Sequence, residues 1–118
     1  NEVPTLSNIR KILADILAVN SKPLSIEDIK KVVAEKWGVS VSDIDSERKQ
    51  KEIVIPRQVA MYIAKTLTSK SLPEIGKTFG GRDHATVIYA VKKVKELMSV
   101  NPKMELLINE VERECSAL

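Results

Sequence analysis

This 118-residue chain carries one cysteine, one histidine, one tryptophan and four glycines, and each scarcity excludes something. A single cysteine, Cys115, can form no intrachain disulfide and cannot build a thiolate metal site. The lone histidine, His84, stands beside Asp83, yet no nucleophile accompanies a base in a recognisable motif, and no glycine-rich loop ends in Gly-Lys-Ser/Thr. We therefore expect no catalytic residues, no metal ligands and no cofactor in this stretch. No apolar run approaches the roughly 20 residues of a membrane span. The start, NEVPTLSNIRK, lacks the charged-then-apolar order of a signal peptide, so a cytoplasmic protein is the expectation. Trp37 lies on an apolar stripe and is expected to be core.

What is present is helical periodicity and unevenly placed charge. The length suits one domain able to bury a core of its own. Net charge is +3, but residues 46–98 hold eleven Lys/Arg against five Asp/Glu, a local +6, while the flanks carry −1 and −2. Positive charge gathered in one segment suits a surface that follows a phosphate backbone and releases its counterions.

That same segment contains SLPEIGKTFGGRDHATVIYAVKKVK over residues 71–95. Ser71 with Glu74 predicts a capping box opening a short helix near Leu72, with Pro73 tolerated in its first turn. Gly80 and Gly81 end that helix and turn the chain. Asp83 caps a second helix, whose Val87, Ala90, Val91, Val94, Leu97 and Met98 form a core stripe. Arg82, Thr86, Tyr89 and Lys93 fall on its other side. Two helices joined in this way read as a helix-turn-helix whose second member can enter a major groove by its amino end. An αα-hairpin with a solvated polar face has the same outline.

The flanking segments are helical too. Residues 5–19 set Leu6, Ile9, Ile12, Leu13, Ile16 and Leu17 on one stripe, ended before Pro23. Ser25 caps a second helix that stops at Gly38, and residues 40–44 read as one further capped turn. The charged run DSERKQKEI over residues 45–53 loses periodicity and reads as a connector. It holds Arg48 and Lys49, a basic arm able to reach a minor groove. The next helix is expected to begin at Pro56 and run to Thr68, with Val59, Ala60, Ile63, Ala64 and Leu67 inward and Arg57, Gln58, Lys65 and Thr68 outside. Asn101-Pro102 opens a last helix with Met104, Leu107, Ile108, Val111 and Cys115 inward.

IPRQVAMYIAK, SLPEIG and FGGRDHATVIYA, in this order and spacing, closely resemble the carboxy-terminal DNA-binding domain of the bacterial replication initiator family DnaA. The likeness covers residues 25–98 and weakens over residues 1–20. It implies a compact all-α domain with a TrpR-like helix-turn-helix over residues 23–118. Residues 1–22 would be an amphipathic linker helix or the end of a preceding ATPase module. The resemblance implies base reading by Asp83, His84, Ala85 and Thr86, with Leu72 and Pro73 approaching the groove. Arg48 or Lys49 would enter the minor groove, and Arg57, Gln58, Lys65 and Thr68 would lie near phosphates.

The family usually has Thr-Thr after the histidine where this chain has Ala85-Thr86; a methyl is kept for a thymine and a hydroxyl is lost. The implied function is sequence-specific binding of double-stranded DNA at DnaA boxes of a replication origin, in a nucleoid-associated, monomeric fragment. Replication regulators and acidic phospholipids are further partners implied for the full-length family, and ATP its cofactor, though not one of this fragment. A helical protein-interaction module or a helix-turn-helix transcription regulator is the alternative.

Overall fold

The structure is a computed structural model, and it describes residues 24–118. The stripe expected over residues 5–19 and the linker assigned to residues 1–22 lie outside the described residues. Among the described residues six helices follow one another: α1 Ile26–Trp37, α2 Val41–Asp45, α3 Lys51–Leu67, α4 Leu72–Thr78, α5 His84–Val100 and α6 Pro102–Ser116. Among the described residues there is no strand, and the domain is all-α. No helix of the described residues is long and apolar enough to cross a membrane.

Local chemistry sets most of these boundaries. Asp28 N–H donates to Ser25 Oγ at 3.1 Å, and Gly38 ends α1 in the left-handed region at φ 71°. A full capping box forms on α2, where Ser40 and Asp43 each satisfy the other's backbone N–H. Asn101 closes α5 with its N–H on the Leu97 carbonyl and opens α6 with its side chain on Met104 N–H. At α4 only half of the expected box exists. Glu74 N–H donates to Ser71 Oγ, but the Glu74 carboxylate accepts from the Ser71 hydroxyl instead of reaching back to the backbone.

The helix expected to begin at Pro56 begins five residues earlier, at Lys51. A proline at this depth lacks the donor for the i−4 carbonyl and costs about 3 kcal/mol in a helix interior. Two things offset that cost. Ile53 N–H and Val54 N–H share the Gln50 carbonyl, each at 2.9 Å, which tightens the first turn ahead of the proline. Ile53 is buried and Ile55 packs against the core, and burying one such side chain contributes about 1.5–3 kcal/mol. Packing wins over the propensity signal, and the true connector shrinks to residues 46–50.

Helix α3 is the axis of the domain and packs against each of the other five. Val59, Ala60, Met61, Ile63 and Ala64 are fully buried there, facing Ile29 and Val33 of α1, Ile75 of α4, Val87, Ala90 and Val94 of α5, and Ile108 and Val111 of α6. Trp37 is half-buried against this core, in keeping with its sequence reading.

The turn between α4 and α5 is fixed by close backbone approach. Arg82 N–H donates to the Gly76 carbonyl at 2.8 Å, and a Cβ on Gly76 would collide with the Arg82 carbonyl oxygen. Gly80 and Gly81 both take φ 77°, where a side chain is strained. Gly80 in addition lies against the Asp45 carbonyl, leaving no room for a Cβ. The helix-turn-helix is thus braced from outside by the end of α2.

Candidate nucleic-acid interface

The first turn of α5 stands clear of the globule. Asp83, His84, Ala85 and Thr86 are all exposed, while Val87, one residue on, is fully buried. The periodicity of the helix makes this division: its buried stripe begins at Val87, and the residues before it fall outside or beyond that stripe. Pro73, at the start of α4, is exposed and its neighbour Leu72 half-buried.

Asp83 caps α5. Thr86 N–H donates to Asp83 Oδ1 at 3.0 Å and the Thr86 hydroxyl donates to the same oxygen at 2.8 Å. Those two bonds, the backbone one first, hold the Asp83 carboxyl below the usual aspartate range. Both bonds use one oxygen, so the other remains as an acceptor of the kind that can take a hydrogen bond from cytosine N4. The Ala85 methyl and the Thr86 methyl are the apolar groups of this tip, suited to thymine methyls.

The arm and the expected phosphate contacts divide. Arg48 is 61% exposed and lies 3.6 Å from Asp43, a weak surface pair. Lys49 is exposed and lines a cleft of about 450 Å³ with Glu47, Arg57, Gly80, Gly81 and Arg82. Lys65 is exposed; Gln58, seven residues earlier and so on the same face of α3, is half-buried beside Lys51 and Lys93 in a groove against α5. Thr68 is half-buried, its hydroxyl donating to the Ala64 carbonyl at 2.6 Å.

Arg57 is a correction. Expected outside, it is only 6% exposed. Its Nε donates to the Ile44 carbonyl at 2.8 Å, and Nη2 donates to the carbonyls of Ser46 at 2.7 Å and Asp43 at 3.2 Å. The Asp43 carbonyl also takes the Ser46 N–H, while that of Ile44, where α2 ends, has no partner further along a helix, and the planar guanidinium can meet several acceptors at once. Burial pushes the Arg57 pKa down, with the charge of Arg82 acting in the same direction and Asp45 against it.

Two further cations escaped sequence reasoning. Lys30 is fully buried, 2.8 Å from Asp45 Oδ1 and 3.1 Å from Glu27, donates to the Thr78 carbonyl and sits 4.7 Å from the centre of the Phe79 ring. The Asp45 contact is a charge pair without aligned hydrogen-bond geometry. A signal existed: Ile26, Ile29, Lys30 and Val33 share one helical stripe. Arg82, expected on the outer side of α5, is half-buried in the turn and donates to the carbonyls of Phe79 and Ser46.

A protruding helix tip with cations around it is common to many helix-turn-helix proteins, and comparison with known proteins narrows the choice. Residues 26–94 match the family described as the bacterial dnaA protein helix-turn-helix. The chain belongs to the DnaA family. It is 50% identical over 109 residues to the chromosomal replication initiator protein DnaA of Ehrlichia ruminantium (strain Gardel), covering 92% of this chain and 24% of that protein. The DnaA proteins of Rickettsia canadensis and Rickettsia massiliae are 47% and 46% identical over 105 residues, 89% of this chain and 23% of each of theirs. This chain thus spans about a quarter of its DnaA relatives, and the family match takes in α1 to most of α5, with the tip, the arm and the buried cations all inside it.

Proposed function

We propose that this chain is the portion of a replication initiator that recognises double-stranded DNA, reading DnaA boxes of a bacterial origin with the amino end of α5 in the major groove. One observation carries the reading: Asp83, His84, Ala85 and Thr86 are all exposed at the capped start of α5, in the segment where positive charge is concentrated. A buried rear stripe and a bare, donor- and methyl-bearing tip are what a groove-entering helix requires.

Each side chain then has a chemical task. Asp83 accepts from a cytosine amine while keeping its cap; Ala85 and Thr86 offer methyls, and His84 a ring donor or acceptor. Leu72 and Pro73 approach the same groove from α4. Lys65, Gln58 and Thr68 lie near phosphates, which set register without reading sequence. Arg48 or Lys49 enters the neighbouring minor groove, where narrow A/T-rich segments attract cations. Arg57, with most of its donors on protein carbonyls, supports this surface from behind. The nucleotide chemistry of the full-length family would lie outside this stretch, and regulators and acidic phospholipids are partners of the whole protein on the same reading.

Fluorescence anisotropy against a consensus DnaA box and a scrambled duplex, at two salt concentrations, tests the proposal. The box should be preferred by roughly a thousandfold or more. Thr86→Glu should remove that preference with the helical circular dichroism unchanged. Lys65→Ala should weaken both duplexes alike and lower the salt slope by about one. Equal binding of box and scrambled duplex by the wild type would instead mark the helix-turn-helix as a docking surface for protein.

A further inference from the structure

We infer that Arg82 is a positioning residue for the basic arm, tying the turn that aims α5 to the backbone from which the arm departs. Its guanidinium donates to two carbonyls, Phe79 in the turn and Ser46 at the end of α2. Asp83, the α5 cap, follows Arg82 directly, and Glu47, the first arm residue, follows Ser46 directly. One side chain therefore spans the roots of the two elements assigned to the major and the minor groove.

Three features show that this junction is built. Gly80 packs against the Asp45 carbonyl so closely that a Cβ has no space, which brings turn and α2 into backbone contact. Arg57 donates to the same Ser46 carbonyl as well, at 2.7 Å. Lys30 reaches both sides as well, with Asp45 on one and the Thr78 carbonyl on the other. Two guanidiniums on one carbonyl oxygen repel each other, so a single satisfied acceptor does not account for the arrangement. What a guanidinium adds over a lysine is a rigid fork that holds two acceptors in fixed relation. The arm, residues 47–50, is then a four-residue bridge held at Ser46 and at Lys51, where α3 begins. Without Arg82 the Ser46 carbonyl keeps Arg57 but the root is no longer tied to the turn, and regaining on binding the equivalent of one ordered backbone residue is a loss of roughly tenfold in affinity.

The inference rests on the reading that the arm enters a minor groove, and the test separates the two. Affinities of the wild type, Arg82→Gln, the double variant Arg48→Ala/Lys49→Ala and the triple combination are measured on boxes with A/T-rich and G/C-rich flanks. Arg82→Gln should lose roughly tenfold on the A/T-flanked box, clearly less on the G/C-flanked one, and almost nothing further in the arm-less background, since coupled sites are not additive.

Equal loss on both flanks, or equal loss with and without the arm, would overturn it and make Arg82 an ordinary phosphate contact. If the arm-less variant binds both boxes like the wild type, the arm reading falls and the role of Arg82 falls with it. Arg82→Lys guards against misfolding of the glutamine variant: it keeps the charge but not the fork. It should keep the salt slope and lose the flank preference; a lysine variant with wild-type flank preference would refute the positioning role.

Discussion

The polar groups at the start of α5 and the cations behind them are treated in opposite ways by the fold. Asp83 to Thr86 are exposed and, apart from the Asp83–Thr86 cap, are not committed to the rest of the protein. Lys30, Arg57 and Arg82 are of a residue type that usually meets solvent, yet each turns inward onto carbonyls or carboxylates near the end of α2. The difference teaches that basicity in this sequence has two uses. Exposed cations such as Lys49 and Lys65 keep their charge in solvent, whereas the buried ones add polar ties between α1, the end of α2 and the turn after α4.

The largest effect should come from removing the buried lysine. In Lys30→Met the stem still fills its space, but Asp45 and the Thr78 carbonyl lose their partner. Breaking a buried pair in this way costs about 3 kcal/mol, which for a domain of this size lowers the Tm by roughly 10 °C or more. A thermal melt measures it. A methionine variant as stable as the wild type would show that apolar contact alone holds α1, α2 and α4 together, and the contrast with the exposed tip would lose its physical basis.

Arg57→Ala comes next. Three carbonyls lose a donor; those of Ser46 and Asp43 keep Arg82 and Ser46 as donors, so the Ile44 carbonyl alone is left unpaired, which should cost about 1–2 kcal/mol, read from the urea midpoint. Amide exchange in residues 46–50 should quicken while the Thr86 amide, held by its own cap, stays protected. Unchanged stability with a salt slope reduced by about one would instead put Arg57 on the phosphates, among the exposed cations.

How far this division could be read from sequence follows from its geometry. The helices, their caps and the exposed tip were legible because they depend on neighbours within four residues: Ser25, Ser40, Asp83 and Asn101 all cap as their spacing predicts. The start of α3 was missed because Pro56 is a strong local signal overruled by the burial of Ile53, a tertiary effect. Arg57 was misplaced for a subtler reason. It lies on the stripe of Ile53, Ala60 and Ala64, so the periodicity pointed inward while its charge pointed outward. Charge prevailed in the reading because the carbonyls that receive it come from α2, 11 to 14 residues away.

The smallest effect, and the one that sharpens the contrast most, concerns the Asp83 cap. Its carboxyl is held below the usual aspartate range by the Thr86 N–H and then the Thr86 hydroxyl. A lowered folded value means that the contribution is intact above the unfolded aspartate value, near pH 4, and is lost as pH falls through the folded one. Asp83→Asn keeps an oxygen for the cap and does not titrate, so the wild type should lose stability relative to this variant only in that acidic window. Asp43, which is lowered by its own bonds with Ser40, contributes equally to both and cancels from the difference. Carbon-detected NMR should place the Asp83 midpoint below that of an unstructured aspartate. A midpoint at the ordinary value would mean that Thr86 is not engaged in solution, its hydroxyl as open to a partner as the side chains of His84 and Ala85, and the tip would then be bare through its whole first turn.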